Sequence, residues 1–322
     1  MSDIRILFLR GGAIGDFIMT LPALAALRQR WPDAYIELAG YPRTARLAWN
    51  AGIINRFVSL DNAGMAGFFS YRPKIPAEQA AYLKLFDLVV SYLYDPDEIL
   101  ALNMRMAGVK NFVRGDPMVK DIHAVEYLFK PLAELAIYPE GAEYPVLPVT
   151  PDQAERGRQI IKTDRPVLLL HPGSGSLRKN WPLENFAALA EAVAESGELS
   201  PVFLFGEADD AVRSAYAAAE YAWPCREGLE LTQVCDLISA CRAFAGNDSG
   251  ITHLAAAAGI PTVAVYGPSD HTSWGLRGPH TARVFRERSA DGAWDGIWPA
   301  VAEVKTRLDT LMTKCGGSAG GL

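Results

Sequence analysis

The sequence predicts an α/β protein made of two Rossmann-like halves, each a parallel sheet with crossover helices. Three observations carry this reading. Short β-branched or apolar runs alternate with segments of helical period through the front of the chain, a stretch punctuated by prolines interrupts the alternation, and the alternation then restarts. With 322 residues, 50% of them hydrophobic, the chain is long enough for two ordinary cores.

In the front half the expected strands are Ile4–Leu9, Ala34–Ala39, Phe57–Leu60, Asp87–Ser91 and Asn111–Val113. The expected helices are Leu21–Arg30, Arg43–Asn50, Glu78–Leu85, Asp97–Met106 and Ala124–Ala136. The segment Ser59 to Lys74 is rich in Gly and Phe. From Tyr138 to Pro151 no helical period survives, and Pro139, Pro145, Pro148 and Pro151 mark a linker, so domains are expected at 1–150 and 151–322. The second half reads as strand Val167–Leu170, helix Leu183–Glu195, strand Val202–Phe205, helix Asp210–Glu220, helix Thr232–Ala240 and strand Arg242–Ala245. A helix with apolar core Leu254–Ala258, a strand Thr262–Tyr266 and a closing helix from Ile297 to Met312 complete it. Two such halves are expected to hold a ligand between them, at the carboxyl ends of the strands.

Composition excludes several classes. No run approaches the ~18 apolar residues of a membrane span, and the first segment, MSDIRILFLR, carries charges where a leader would need an apolar stretch, so a cytoplasmic protein is expected. A net charge of −6 argues against a nucleic-acid binder. Cys225, Cys235, Cys241 and Cys315 show no metal-ligand spacing and read as reduced packing thiols. No zinc motif or nucleophile elbow is present, nor a spaced acidic pair in the second half near the phosphate seat, so neither metal nor cofactor is required.

Three blocks could carry chemistry. The first, LRGGAIGDFIMTLP, follows the first strand. Gly11, Gly12 and Gly15 permit a tight turn, but an acid, Asp16, stands where a dinucleotide fold would seat its pyrophosphate. Asp16 reads either as a cap of the next helix or as a general base facing the ligand. The second block, HPGSGSLRKNWPLENF, offers a small loop of donors, Ser174, Gly175 and Ser176, followed by Lys179 and by a helix that Pro182 starts. Its spacing is not that of a P-loop. The third, GNDSGITHLAAAAGIPTVAVYGPSD, places Asp248 or Ser249 as N-cap of a helix. Gly250 lets a ligand approach the backbone, and the exposed N–H groups with the positive dipole end form an anion seat. His253, one turn in, faces either a bound phosphate or the sheet.

Together, GGAIGDFIMTLPALAALRQRWPDAYI, HPGSGSLRKNWPLENFAAL and GNDSGITHLAAAAGIPTVAVYGPSD resemble glycosyltransferase family 9, the ADP-heptose:lipopolysaccharide heptosyltransferases. The resemblance implies a GT-B fold, with two Rossmann-like domains whose parallel sheets face across a cleft, the acceptor bound mainly by the first and the nucleotide-sugar by the second. It implies inverting, metal-independent transfer of heptose from an ADP-activated donor to a lipopolysaccharide inner-core acceptor, at the cytoplasmic face of the inner membrane. By that resemblance Asp16, preceded by Gly15, is the base, and Lys179 is the phosphate-binding lysine. Asp248, Ser249, Gly250, Ile251 and His253 form the donor-binding helix start. Asp210, within one residue, matches an acid that holds the ribose, and Leu229 to Leu231 match an apolar stretch beside adenine. Ser249 stands where the family often has threonine, and Phe17-Ile18-Met19 where it often has Val-Ile-His.

Two other classes share the β/α pattern. A nicotinamide oxidoreductase needs a first turn free of acid and a ribose-binding acid after strand two, whereas Glu37 lies inside that strand. A two-lobed nucleotide-sugar-binding protein without catalysis would not need Asp16.

Overall fold

The computed structural model describes residues 4–61, 65–139, 143–286 and 294–316. Residues 62–64, in the Gly/Phe-rich stretch, and 140–142, in the expected linker, lie outside the described residues. The chain divides into two compact units, Met1–Pro145 and Val146–Leu322.

In the first unit the elements run β1 (Arg5–Arg10), α1 (Ile14–Arg30), β2 (Tyr35–Gly40), α2 (Pro42–Asn50), β3 (Arg56–Ser59), α3 (Ala77–Leu83), β4 (Leu88–Ser91), α4 (Ile99–Met106), β5 (Phe112–Arg114) and α5 (Ala124–Phe129). Among the described residues the sheet order is β3-β2-β1-β4-β5, parallel throughout. The chain steps outward from β1 through β2 to β3, then returns to the other side of β1. The switch point therefore lies between β1 and β4, with the turn from Gly11 to Asp16 at its carboxyl end. Both faces of the sheet are covered, as a parallel sheet requires. On one face Leu7 and Leu9 pack with Val89, Leu100 and Met104, while the Phe8 ring lies 5.4 Å from that of Tyr92.

Two helices differ from the expectation. The first begins at Ile14, seven residues before Leu21, and runs through Pro22. A proline removes one hydrogen bond from a helix, but the face from Phe17 to Leu27 is buried almost continuously and holds the helix across the gap. The Thr20 hydroxyl also donates to the Asp16 carbonyl at 2.7 Å. Near the other end of the unit, the single helix expected over Ala124–Ala136 becomes α5 and a tighter 3-10 segment, Lys130–Leu135, because Pro131 cannot continue the α-helical ladder.

The second unit runs α6 (Pro151–Ile161), β6 (Val167–His171), α7 (Leu183–Ser196), β7 (Ser200–Leu204), α8 (Asp210–Ala218), β8 (Cys225–Arg226), α9 (Leu231–Ser239), β9 (Ala243–Asn247), α10 (Gly250–Ala257), β10 (Thr262–Val265), α11 (His271–Trp274), β11 (Thr281–Val284) and α12 (Val301–Gly316). Its described strands are parallel in the order β11-β10-β9-β6-β7-β8, so the switch point lies between β6 and β9. There His171 at the end of β6 pairs in register with Gly246 of β9. The core beneath is aromatic and aliphatic: Leu168, Leu170, Trp181, Phe186, Phe203 and Val263.

Helix α6 starts at the last residue of the expected linker and covers a stretch for which no element is expected. Its start is a capping box: Gln153 N donates to the Thr150 hydroxyl at 3.3 Å and Thr150 N to Gln153 Oε1 at 2.9 Å, with Pro151 at the first helical position. Gly157 then lets α6 close on α9, since a Cβ there would stand 2.0 Å from the Asp236 carbonyl oxygen. Arg156 clamps the contact with two hydrogen bonds to the Asp236 carboxylate, at 2.7 and 3.0 Å. The edge strands β8 and β11 are short and carry little periodicity. The thiols divide. Cys235 and Cys241 are buried and burial pushes both upward, Cys235 to about 12, whereas Cys225 is exposed and Cys315 faces His280 Nδ1 at 3.1 Å, so packing accounts for only the first two. Among the described residues no helix is long and apolar enough to cross a membrane.

Candidate functional site

The carboxyl ends of β6, β7 and β9 bring together side chains far apart in the sequence. Asn247, wholly buried at the end of β9, is the hub. Its amide donates to the Pro172 carbonyl at 2.8 Å and its oxygen accepts the Trp181 backbone N–H at 2.8 Å. It thereby ties down both ends of the loop between β6 and α7. Within that loop the Ser174 hydroxyl lies 2.7 Å from both the Ser176 carbonyl and Asn180 Oδ1, which share its one hydrogen, and it accepts the Ser176 N–H at 3.2 Å. Its hydrogen-bonding capacity is thus spent on shaping the loop. Gly175 is exposed and Ser176 half-buried, and a 3-10 turn, Leu177–Lys179, leads to Asn180. Pro182 is the N-cap residue of α7, one place earlier than the helix itself.

Helix α10 starts on Ser249, whose hydroxyl accepts the Thr252 N–H at 3.3 Å, so of the two candidate caps Ser249 is the one used. The Gly250 and Ile251 N–H groups belong to the first turn and have no carbonyl inside the helix to bond, and both residues are partly open to solvent. Asp248 precedes the cap and is buried. Lys179 Nζ donates to its Oδ2 at 2.9 Å, and His253 Nε2 lies 3.7 Å from its Oδ1. Burial works to raise the Asp248 carboxyl, but His253 and Lys179 outweigh it and hold the group at about 2. A carboxylate, an ammonium and an imidazole thus meet at a helix start. The Lys179 side chain is 42% exposed, so its amino group is held inward by Asp248 while remaining accessible.

Two expected residues lie apart from this cluster. Asp210 is exposed and pairs with Arg213 at 3.1 Å, one helical turn on. The acid that turns inward is its neighbour Asp209, which bonds to His171 Nε2 at 3.1 Å. Leu229 is half-buried in the segment before α9. The sequence reading missed His171, Asp209, Asn247 and Thr252 as site residues. The signal available was position: His171 and Asn247 are the last residues of strands that end at the switch point.

In the first unit Gly15 and Asp16 occupy the first turn of α1. Asp16 Oδ2 accepts the Ala13 N–H at 2.8 Å, so the residue does cap the helix, from the third helical position rather than from the N-cap. Arg10, buried at the end of β1, donates to the Asp16 carbonyl at 2.9 Å and brings its guanidinium to 3.9 Å from Oδ1. Burial lowers the Arg10 value and the Asp16 charge works against that. The Asp16 carboxylate remains 32% exposed. Beside the carboxyl ends of β4 and β5 a cavity of about 360 Å³ is lined by Tyr94, Asp95, Arg114, Asp116 and Lys120, among others. Among the described residues no group of three or more His, Cys, Asp or Glu is placed to hold a metal ion.

Comparison with known proteins connects this geometry to a family. Lipopolysaccharide heptosyltransferase 2 of Escherichia coli (strain K12) is 37% identical over 137 residues, 39% of this chain and 38% of that protein, so the match spans well under half of the relative's length. Lipopolysaccharide heptosyltransferase 1 of Pseudomonas aeruginosa is 28% identical over 292 residues, 83% of this chain and 79% of that protein. Among solved structures, the E. coli ADP-heptose lipopolysaccharide heptosyltransferase II superposes with a TM-score of 0.78 at 21% identity, covering 97% of this chain and all of that one. The glycosyl transferase family 9 protein of Veillonella parvula DSM 2008 gives 0.77 at 21% identity, covering 98% and 99%. These likenesses show the fold, which is of the GT-B type with two parallel-sheet α/β units. The model of glycosyltransferase family 9 (heptosyltransferase) matches residues 101–291, more than half of the chain and inclusive of the β6 loop, Lys179 and the start of α10. The chain belongs to glycosyltransferase family 9.

Proposed function

We propose that the protein transfers a heptose from an ADP-activated donor to a lipopolysaccharide inner-core acceptor, with inversion, without a metal and on the cytoplasmic side of the inner membrane. The observation that carries the reading is the cluster at the start of α10, where the Lys179 ammonium stands beside unpaired helix N–H groups in a chain of this family. A diphosphate is the ligand such a seat favours. Named relatives that are lipopolysaccharide heptosyltransferases support the sugar and the acceptor class. In the second unit the exposed Asp210 would exchange its Arg213 contact for a ribose hydroxyl and Leu229 would meet an adenine face, and Gly175 and Ser176 line the approach to the phosphates.

In this reading the acceptor hydroxyl attacks the anomeric carbon, Asp16 takes its proton, and the bond from that carbon to the β-phosphate oxygen breaks with its electron pair leaving on ADP. Lys179 and the N–H groups of Gly250 and Ile251 receive the new negative charge. General-base help of this kind contributes about 10²–10⁴-fold and charge stabilisation at the leaving group often more. Arg10 keeps the Asp16 backbone fixed, and the partly exposed carboxylate supplies the base. The cavity beside Arg114 and Lys120 offers the first unit a polar place for the acceptor.

The test is direct. The full-length protein is incubated with ADP-heptose and a heptose-deficient inner-core acceptor, and mass spectrometry follows addition of one heptose and release of ADP. Anomeric assignment of the product by NMR separates inversion from retention. Tight ADP-heptose binding with no transfer to any inner-core acceptor would instead favour a binding protein.

A further inference from the structure

We infer that His171 is a positioning residue for the donor's diphosphate: clamped by Asp209, its ring holds Ser249 and so sets the start of α10. The inference rests on the proposed reading of that helix start as a phosphate seat and adds to it a buried device that shapes it.

The chain of contacts is continuous. Asp209 Oδ2 lies 3.1 Å from His171 Nε2, and the other ring nitrogen, Nδ1, lies 3.4 Å from the Ser249 hydroxyl. Ser249 Oγ is in turn 3.0 Å from Thr252 Oγ1, whose hydroxyl donates to the Asn247 carbonyl at 2.6 Å. All of these side chains are buried, and Thr252 is wholly so. They come from the end of β6, the turn after β7 and the start of α10, so one line of polar contacts spans the strand ends on which the seat is built.

Asp209 is itself immobilised. It accepts the Gly206 N–H at 2.7 Å and packs on the backbone of Gly173, where an added Cβ would stand 1.8 Å from Oδ1. Burial works to raise its carboxyl, yet the His171 hydrogen bond and charge and the Gly206 N–H leave it below the usual carboxylate range. Asp209 takes the Nε2 side of the ring, which leaves Nδ1 facing the Ser249 hydroxyl. Because the Ser249 oxygen also accepts the Thr252 N–H, the serine that His171 holds is the residue that caps α10 and aims the Gly250 and Ile251 N–H groups outward. His171 makes no claim on the donor. Its effect passes through Ser249.

The experiment compares wild type with His171→Phe, which keeps a ring and removes both hydrogen bonds, with Ser249→Ala, and with the double variant. Each full-length protein is titrated calorimetrically with ADP and with adenosine, its melting point is recorded, and amide exchange at Thr252 and His253 is followed without ligand. The expected result for His171→Phe is ADP binding about tenfold weaker, the size of one lost hydrogen bond, with adenosine binding unchanged. Exchange at Thr252 should quicken, and the double variant should be no weaker for ADP than Ser249→Ala alone. Unchanged ADP affinity and unchanged exchange in a folded His171→Phe protein overturn the inference, as does an equal loss of ADP and adenosine binding, which marks a general structural role. A Ser249→Ala effect that simply adds to that of His171→Phe overturns the route through Ser249. A wild-type protein that binds ADP no better than adenosine removes the phosphate seat itself, a failure distinct from these.

Discussion

Lys179 gives a hydrogen bond to Asp248 at 2.9 Å, so the cation expected to meet a phosphate is held by a carboxylate. The pairing has two consequences. It points an exposed, flexible side chain toward the helix start, and it keeps a buried carboxylate ionised that would otherwise be costly.

The second consequence makes acid stability a readout. The folded Asp248 value of about 2 lies below the ordinary 3.8, so its stabilisation is complete above about pH 4 and is lost as pH falls through about 2. The full shift corresponds to about 2 kcal/mol. Lys179→Met removes one of the groups that lower it, so the acid-dependent loss of stability should be smaller and be complete at a higher pH than in wild type. Urea unfolding from pH 2 to 6 checks this, and identical pH profiles would refute the coupling.

The same variant bears on the donor. Lys179→Met should weaken ADP binding by roughly 1.5–3 kcal/mol for a lost charge-assisted contact. Calorimetry at neutral pH, where Asp248 is ionised in both proteins, isolates that loss, and an unchanged ADP affinity would remove Lys179 from the donor site.

Asp16 combines a cap with the proposed base, and the two roles separate by substitution. Asp16→Asn retains an oxygen for the Ala13 N–H but cannot take a proton, so kcat should fall about 10²–10⁴-fold with the melting point nearly unchanged. Asp16→Ala loses both and should also cost about 0.3–1 kcal/mol of stability, a modest figure because the group is partly exposed. A fully active Asp16→Asn enzyme ends the general-base assignment.

Asn247 gives a prediction independent of ligand. Its side chain is wholly buried and satisfies the Trp181 N–H and the Pro172 carbonyl, so Asn247→Ala strands a donor and an acceptor at once. Roughly 2–4 kcal/mol of stability should be lost. Denaturant unfolding of the two proteins would show it, and a loss under 1 kcal/mol would mean that water replaces the amide.

Chelation should leave transfer intact, because Lys179 and the start of α10 supply the positive charge that a bridging metal provides in other transferases. Activity abolished by EDTA and restored by Mg²⁺ would show that the donor site has been misread.

The sequence by itself determined the alternation of strand and helix, because periodicity and turn chemistry are local properties. It also determined the three blocks that hold Asp16, Lys179 and Asp248 to His253, because each is a contiguous run following a strand. The capping box at Thr150 was equally local and would have revealed α6. Only tertiary structure decided the rest. Helix α1 passes through Pro22 because burial of its face outweighs one missing hydrogen bond. Asp209 and Asp210 are alike in sequence, yet one turns in to His171 and the other out to Arg213, since successive residues of a tight turn project in different directions. His171, Asp209 and Ser249 meet because the strand order β9-β6-β7 makes their loops neighbours, and strand order is fixed by packing across the whole sheet rather than by any short stretch of chain.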